Sequence, residues 1–307
     1  MKCKLNNAYS IIKNEKDVAF IRELNKYTIR ENSEICRRLK KILSSKNGII
    51  KREDLSFDDF LYSKKVLIPS IVVVDKKNES TIDYCLQYTD KISEKEISNA
   101  VIVIVGLGGI GQVVMEQLVA SGLKKFILID FDKIVEKNFN RQFLILNDDI
   151  GKHKVDAVET NLRNRYDGLE IIKYRIKLIK KEDLNEILDS HKVDFIVGAA
   201  DHPPNKIQAI ILEISKAKKI PCGFASVGLN YSVVGPILTG HESFFFPNDN
   251  RKFAFKEILS ASASFTNSIT GAILAKEIFF FLFRIEKSKI IEKQLIFDFK
   301  EYTSTIC

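Results

Sequence analysis

At 307 residues the chain has room for about two domains of ~150 residues each. Its 45% hydrophobic and 29% charged residues are those of a globular protein, and no basic segment leading into an apolar run opens it, so a cytoplasmic location without a signal peptide is expected. The net charge of +8 favours an acidic partner such as a nucleotide or an acidic peptide, but the lysines are spread out and rarely interleaved with aromatics, which argues against a nucleic-acid groove.

Taken in chain order, residues 1–95 read as a small module of their own. Asp17 to Ser45 is charged with helical apolar spacing and is broken at Gly48, Ile49 and Ile50. Ser56–Tyr62 predicts a short helix, Val66–Asp75 strands around Pro69, Lys76–Ser80 a polar turn and Asp90–Ser98 a charged linker or helix. The expectation is a winged-helix-like unit.

Residues 96–307 read as an α/β domain. Strands are predicted at Val101–Val105, Lys125–Ile129, Glu170–Tyr174, Phe195–Val197 and Pro221–Ala225. Helices are predicted between them, at Ile110–Ala120, Lys152–Arg165, Lys181–Ser190 and Pro203–Lys216. Near-continuous apolar strands alternating with helices imply a doubly wound parallel sheet covered on both faces. Hairpin-like strands at Leu229–Leu238 and Ser243–Phe246 follow, then helices at Phe253–Leu259 and Ala261–Arg284 and a final strand at Lys289–Phe299. The apolar segment Ser268–Phe283 is shorter than the ~20 residues a membrane span needs and carries Lys276 and Glu277, so a buried core helix is expected and no membrane contact.

The five cysteines, Cys3, Cys36, Cys85, Cys222 and Cys307, are odd in number and far apart, which fits a reducing compartment better than a disulfide scaffold. With no CxxC pair and no metal spacing among the four histidines, no zinc site is expected. Cys222, inside a strand, reads as a buried inert thiol, and Cys307 is terminal.

The chemistry concentrates at VIVIVGLGGIG. Gly106, Gly108 and Gly111 match G-x-G-x-x-G, with Gly109 a fourth glycine, between a strand and a helix. Such a turn lets phosphates approach the backbone and meet the N–H groups of a helix N-terminus. Asp130 stands 19 residues after Gly111, where a carboxylate hydrogen-bonds ribose hydroxyls. A nicotinamide-dependent oxidoreductase would satisfy this much. The following residues favour phosphoryl chemistry: Asn138 and Arg141 one turn apart, Lys154 opening a helix, and Asp201 at the carboxyl end of a strand. Cations neutralise charge on a triphosphate and a carboxylate holds Mg²⁺, whereas hydride transfer needs no such set.

This combination, Gly106-x-Gly108-Gly109-x-Gly111, Asp130-x-Asp132, Asn138-x-x-Arg141-Gln142, Lys154 and Asp201, resembles the nucleotide-binding pattern of the ThiF/MoeB adenylyltransferases over residues 100 to about 285. The resemblance implies a Rossmann-like adenylation domain that activates a C-terminal carboxylate with Mg-ATP and releases pyrophosphate. It also implies roles: Asp130 for the ribose, Asn138, Arg141 and Lys154 for the phosphates, and Asp201 for Mg²⁺. Asp132 is read as orienting the turn after its strand.

The segments Ala199–Asn205, Gly223–Leu238 and Ser264–Ile278, with the module ahead of them, are similar to the MccB-type peptide adenylyltransferases of microcin C-like biosynthesis. That likeness implies a peptide-clamp role for residues 1–95. It also implies a short precursor peptide activated at a C-terminal Asn and joined to a nucleotide through a P–N bond, and a homodimer. ATP is the expected nucleotide and CTP is left open, because nothing identified reads the base. The alternative is adenylation of a sulfur-carrier protein.

The chain departs from those families in lacking the zinc CxxC pairs. Glu242–Phe246 stands at the first pair, where apolar packing is expected to replace the metal. Asp201 is followed by His202, as in the MccB type, and Lys206 replaces an arginine. An arginine reaching a partner's site would come from Arg22, Arg30, Arg37 or Arg38. His153 and His202 are read as hydrogen-bonding neighbours of the ligand-binding residues, and Phe279–Phe281 as core or dimer face.

Overall fold

The computed structural model describes residues 2–13, 17–30, 33–45, 49–53, 56–204, 206–241 and 262–307. The chain divides into two compact units, Met1–Glu94 and Lys95–Cys307.

The first unit is strand-rich. Its elements are β1 (Lys2–Leu5), β2 (Ser10–Lys13), β3 (Asp17–Arg22), β4 (Asn25–Arg30), α1 (Ser33–Leu43), β5 (Ile49–Lys51), α2 (Ser56–Ser63), β6 (Leu67–Pro69) and α3 (Glu79–Cys85). They make two three-stranded antiparallel sheets, ordered β5-β1-β6 and β2-β3-β4. Val18, Phe20, Ile42, Leu61, Val66 and Leu67 share one buried core. These elements do not establish the winged-helix arrangement.

The helical reading of Asp17–Ser45 fails over its first half, which is the β3–β4 hairpin. Its register pairs Arg22 with Asn25, leaving a two-residue loop of Glu23 and Leu24. Such loops favour Asn-Gly or Asp-Gly because they need positive φ. Here Glu23 takes φ 52 without that signal, so the sequence gives no notice of the turn. Of Val66–Asp75 only Leu67–Pro69 pairs as a strand. The expected turn at Lys76–Ser80 is a 3-10 turn, capped by Asp75 accepting from the Lys77 N–H at 3.0 Å, that leads into α3.

The second unit opens with α4 (Glu94–Asn99) across the boundary. It continues with β7 (Val101–Val105), α5 (Gly109–Ala120), β8 (Lys125–Ile129), α6 (Lys154–Arg163), β9 (Glu170–Tyr174), α7 (Lys181–Asp189), β10 (Phe195–Gly198) and α8 (Ile207–Lys218). Then come β11 (Cys222–Val227), β12 (Tyr231–Leu238), α9 (Ser264–Leu282), β13 (Leu295–Asp298) and β14 (Thr303–Ile306). One eight-stranded sheet runs β14-β13-β12-β11-β10-β7-β8-β9. The five strands β9-β8-β7-β10-β11 are parallel, and β12 to β14 extend the sheet antiparallel. This is a Rossmann-like doubly wound fold. Val103, Val105, Ile127, Ile129 and Ile196 from the central strands pack with Leu184, Ile207 and Ile211 of the helices.

α9 is long and apolar enough to cross a membrane by length and composition, yet 56% of that window is buried inside the protein. Its Gly271 lets α5 come close: a Cβ there would lie 2.8 Å from Val113 Cβ and 3.1 Å from the Ile110 carbonyl. The expected final strand Lys289–Phe299 is only β13, and β14 follows it as the exposed edge. The expected strand Ser243–Phe246 and helix Phe253–Leu259 lie outside the described residues.

Candidate active site

The parallel strand order reverses at β7. The connection through α5 leads to β8 on one side, and the chain later returns to β10 on the other. Ligands of doubly wound sheets bind at such a switch point, outside the carboxyl ends of the strands. Gly106 follows β7, Asp130 follows β8, and Asp201 lies just beyond β10, so three predicted residues meet there.

The glycine turn is built from its neighbours. The Gly106 N–H donates to the Ile129 carbonyl and the Ala199 N–H to the Val105 carbonyl, both at 2.9 Å. Gly106 has φ +94, and a Cβ there would lie 2.7 Å from Ala200 Cα, so only glycine fits. Gly111 is pressed against the Gly106 carbonyl, which excludes a side chain at that position too. Gly108 is the N-cap of α5 and places no side chain on the helix end. A Cβ on Gly108 would meet nothing within 4 Å. The N–H groups of the first turn are therefore left for an anion.

Asp130 is 7% exposed and holds the turn. Its Oδ2 accepts from the Leu107 N–H at 2.6 Å and its Oδ1 from the Asp132 N–H at 2.8 Å. Burial pushes this carboxyl up, and the Lys154 charge and the two backbone donors only partly pull it back. Lys154, first residue of α6, sends its buried side chain to Asp132, with Nζ 2.6 Å from Oδ2.

Asn138 and Arg141 part company. Asn138 is buried, and its Oδ1 accepts from the Val135 N–H at 3.0 Å, closing its own 3-10 turn. Arg141 is partly exposed and donates to Asn140 Oδ1 at 2.8 Å and the Lys137 carbonyl at 3.3 Å. Its Cδ lies 3.2 Å from where a Cβ of Gly109 would stand, so its stem runs beside the turn. Gln142 is buried under the site, its Oε1 accepting from Gln112 Nε2 at 3.1 Å.

Asp201 is 79% exposed, with Oδ1 2.8 Å from His202 Nδ1. No group of three His, Cys, Asp or Glu able to hold a metal exists among the described residues. An exposed carboxylate such as Asp201 is of the kind that fits Mg²⁺ arriving with a nucleotide, because Mg²⁺ binds through one or two carboxylates plus substrate phosphates. Asn205 and Glu242–Phe246 lie outside the described residues.

Two residues escaped the sequence reading. Gln112 donates to the Leu107 carbonyl at 3.1 Å and accepts from the Leu144 N–H at 2.9 Å, tying α5 to the Gln142 segment. Its one signal is an amide in the apolar run after Gly111. Asn267 of α9 is buried, with its Oδ1 against the Cβ position of Gly109 and its Nδ2 donating to the Ala263 carbonyl at 2.7 Å. Of the N-terminal arginines, Arg38 is buried and bound to Asp58, Arg22 donates to Gln87 and covers the Tyr9 ring, and Arg37 is exposed. The side chain of Arg30 lies outside the described residues.

A glycine-rich turn at the switch point of a doubly wound sheet, with polar and charged residues near it, defines a Rossmann-like α/β protein. The chain belongs to the ThiF family, whose model matches residues 84–307. It is 35% identical over 81 residues to the NEDD8-activating enzyme E1 catalytic subunit of Arabidopsis thaliana, covering 26% of this chain and 18% of that protein. It is 28% identical over 113 residues to the sulfur carrier protein adenylyltransferase of Thermus thermophilus, covering 37% and 41%. The chain thus spans less than half the length of either relative. The fold is similar to that of E. coli MccB solved with ATP, at a TM-score of 0.79 and 19% identity over 100% of this chain and 96% of that one. It is equally similar to the microcin C7 biosynthetic enzyme MccB in complex with N-formylated MccA, at 0.79 and 20% over the same shares.

Proposed function

We propose that this chain is a nucleotidyltransferase that activates the C-terminus of a short ribosomal precursor peptide, ending in Asn, with a Mg²⁺-bound nucleoside triphosphate. ATP is the first candidate, and the setting is microcin C-like antibiotic biosynthesis. The observation that carries this reading is the extent of the MccB likeness. The fold match takes in 100% of the chain, the N-terminal unit included. One neighbour was solved with ATP and another with N-formylated MccA, and the basic charge of this chain suits a nucleotide.

In this reading the peptide's terminal carboxylate or amide attacks the α-phosphorus and the bond to pyrophosphate breaks. Arg141 and Lys154 stabilise the leaving charge, and the uncapped N-terminus of α5 adds its dipole. Mg²⁺ bound with the triphosphate would neutralise phosphate charge, and Asp201 is the carboxylate placed to take it. The enzyme works as a homodimer in the cytoplasm, with residues 1–95 as the peptide clamp.

The test incubates purified protein with Mg²⁺, ATP or CTP, and peptides ending in Asn or other residues, followed by mass spectrometry. A peptide gaining a nucleoside monophosphate mass is the expected result and names the nucleotide. Adenylation confined to a Gly-Gly-ending sulfur-carrier protein would replace this reading with the second one. NADH binding tighter than ATP would replace both.

A further inference from the structure

We infer that Asp132 is a positioning residue of the nucleotide site: it holds the Lys154 ammonium where the phosphates of an incoming nucleoside triphosphate would meet it. This rests on the proposed phosphate-binding role of Lys154. Asp132 itself does not touch nucleotide in this inference.

Three observations carry it. The first is that the Lys154 side chain is only 7% exposed, yet its tip ends in an ion pair, Nζ to Asp132 Oδ2 at 2.6 Å. A buried ammonium without a counter-charge is costly, so Asp132 fixes where that charge sits.

The second is that Asp132 stands on a fixed backbone. Its N–H donates to Asp130 Oδ1 at 2.8 Å and its carbonyl accepts from the Lys154 N–H at 3.0 Å. The next residue forms an antiparallel bridge, Lys133 to His153, and the Ile134 N–H donates to the Lys152 carbonyl at 2.9 Å. A continuous chain therefore runs from the Leu107 N–H in the glycine turn through the Asp130 carboxylate and Asp132 to the Lys154 ammonium. It joins the carboxylate on the ribose side to the cation on the phosphate side.

The third is that the pair is open. Asp132 is 47% exposed, and an ammonium has three donors, of which Asp132 takes one among the described residues. The ammonium is held but not used up. A residue that only shaped its own turn would spend its carboxylate on nearby backbone N–H groups, as Asp130 does.

The test measures Mg²⁺-ATP binding by calorimetry, without peptide, for the parent, D132N, K154A and the double variant. D132N is expected to weaken ATP about tenfold, the loss of one well-placed charge contact. K154A weakens it at least as much, and the double variant binds no worse than K154A alone, because Asp132 acts only through Lys154. D132E regains most of the affinity, and D132N, which leaves the buried ammonium without its counter-charge, melts below the parent without nucleotide while D132E restores the melting point.

Parental or tighter ATP binding by D132N, with K154A weakened, overturns the inference. So does a double variant showing the product of both losses, or a lowered D132N melting point that D132E does not restore. Parental binding by K154A removes the phosphate role of Lys154 itself, and this inference with it, so the two failures are distinguishable.

Discussion

Two ion pairs, one in each unit, put the same charges to opposite uses. In the N-terminal unit Arg38 is 4% exposed and Asp58 fully buried. The Arg38 Nε donates to Asp58 Oδ1 at 2.9 Å and its second amino group to Oδ2 at 2.5 Å. Glu53 and the Lys51 carbonyl take further donors, and the Glu53 N–H donates to Asp58 in turn. This pair is closed: both charges are surrounded by partners within the unit. In the second unit Lys154 is as deeply buried, but Asp132 is half exposed. A closed pair can only hold the fold, whereas an open one can exchange a partner for a ligand. The difference leaves Arg38 committed to its own unit and, in the proposed function, leaves Lys154 able to take a phosphate.

That contrast can be broken, and the largest effect is expected at the closed pair. Arg38→Ala strands Asp58 as a buried unpaired charge and should cost about 3–5 kcal/mol of stability in denaturant unfolding. A loss under ~1 kcal/mol would show the pair to be replaceable, and the contrast would fail.

Next in size is a purely functional effect at the open crevice. Asp201→Ala should leave the melting point unchanged, because 79% of that side chain faces solvent. Turnover should fall by about 10²–10³-fold, the scale of one lost electrostatic contact to the transition state. Near-normal turnover would remove Asp201 from the machinery.

Gly106→Ala sharpens the comparison from the backbone side. Strain at φ +94 and the contact with Ala200 should cost about 1–3 kcal/mol and abolish ATP binding together. ATP binding that survives in a destabilised protein would uncouple the turn from the nucleotide.

The smallest effect concerns a surface cluster. Burial raises the Asp156 and Glu159 carboxyls, but hydrogen bonds from Arg175 and Lys173 to Asp156, and from Lys173 and Arg163 to Glu159, outweigh it and leave both lowered. Groups lowered on folding stabilise above their unfolded pKa of about 4 and lose that contribution as pH falls through their folded values. The melting point should therefore hold from about pH 7 to about pH 5 and decline below about pH 4. D156N should flatten part of that decline, and an unchanged profile would show the cluster to be inert.

Much of the second unit was legible. Val101–Val105 and Lys125–Ile129 were read to the residue, because central parallel strands are near-continuous runs of β-formers between helices, and the edge strand Glu170–Tyr174 was read to the residue as well. The glycine turn was legible because close backbone approach admits few other residues. The N-terminal hairpin was not, since Glu23-Leu24 carries no turn signal and the charged residues around it fit helical spacing as well.

Within the site the residue types were readable and their division of labour was not. Asp130, Asn138 and Gln142 lie in the same motif set as Arg141 and Lys154, yet in the structure their side-chain oxygens accept hydrogen bonds inside the protein.

By itself, then, the sequence determined that a parallel sheet would end in a glycine turn with acids and cations near it, because periodicity and steric need act over a few neighbouring residues. Only the tertiary structure decided which polar groups face inward and which remain open. It turned Asp132 toward Lys154, 22 residues on, and Gln142 toward Gln112, 30 residues back. Pairings at that range depend on which strands adjoin in the sheet, and no local pattern encodes that.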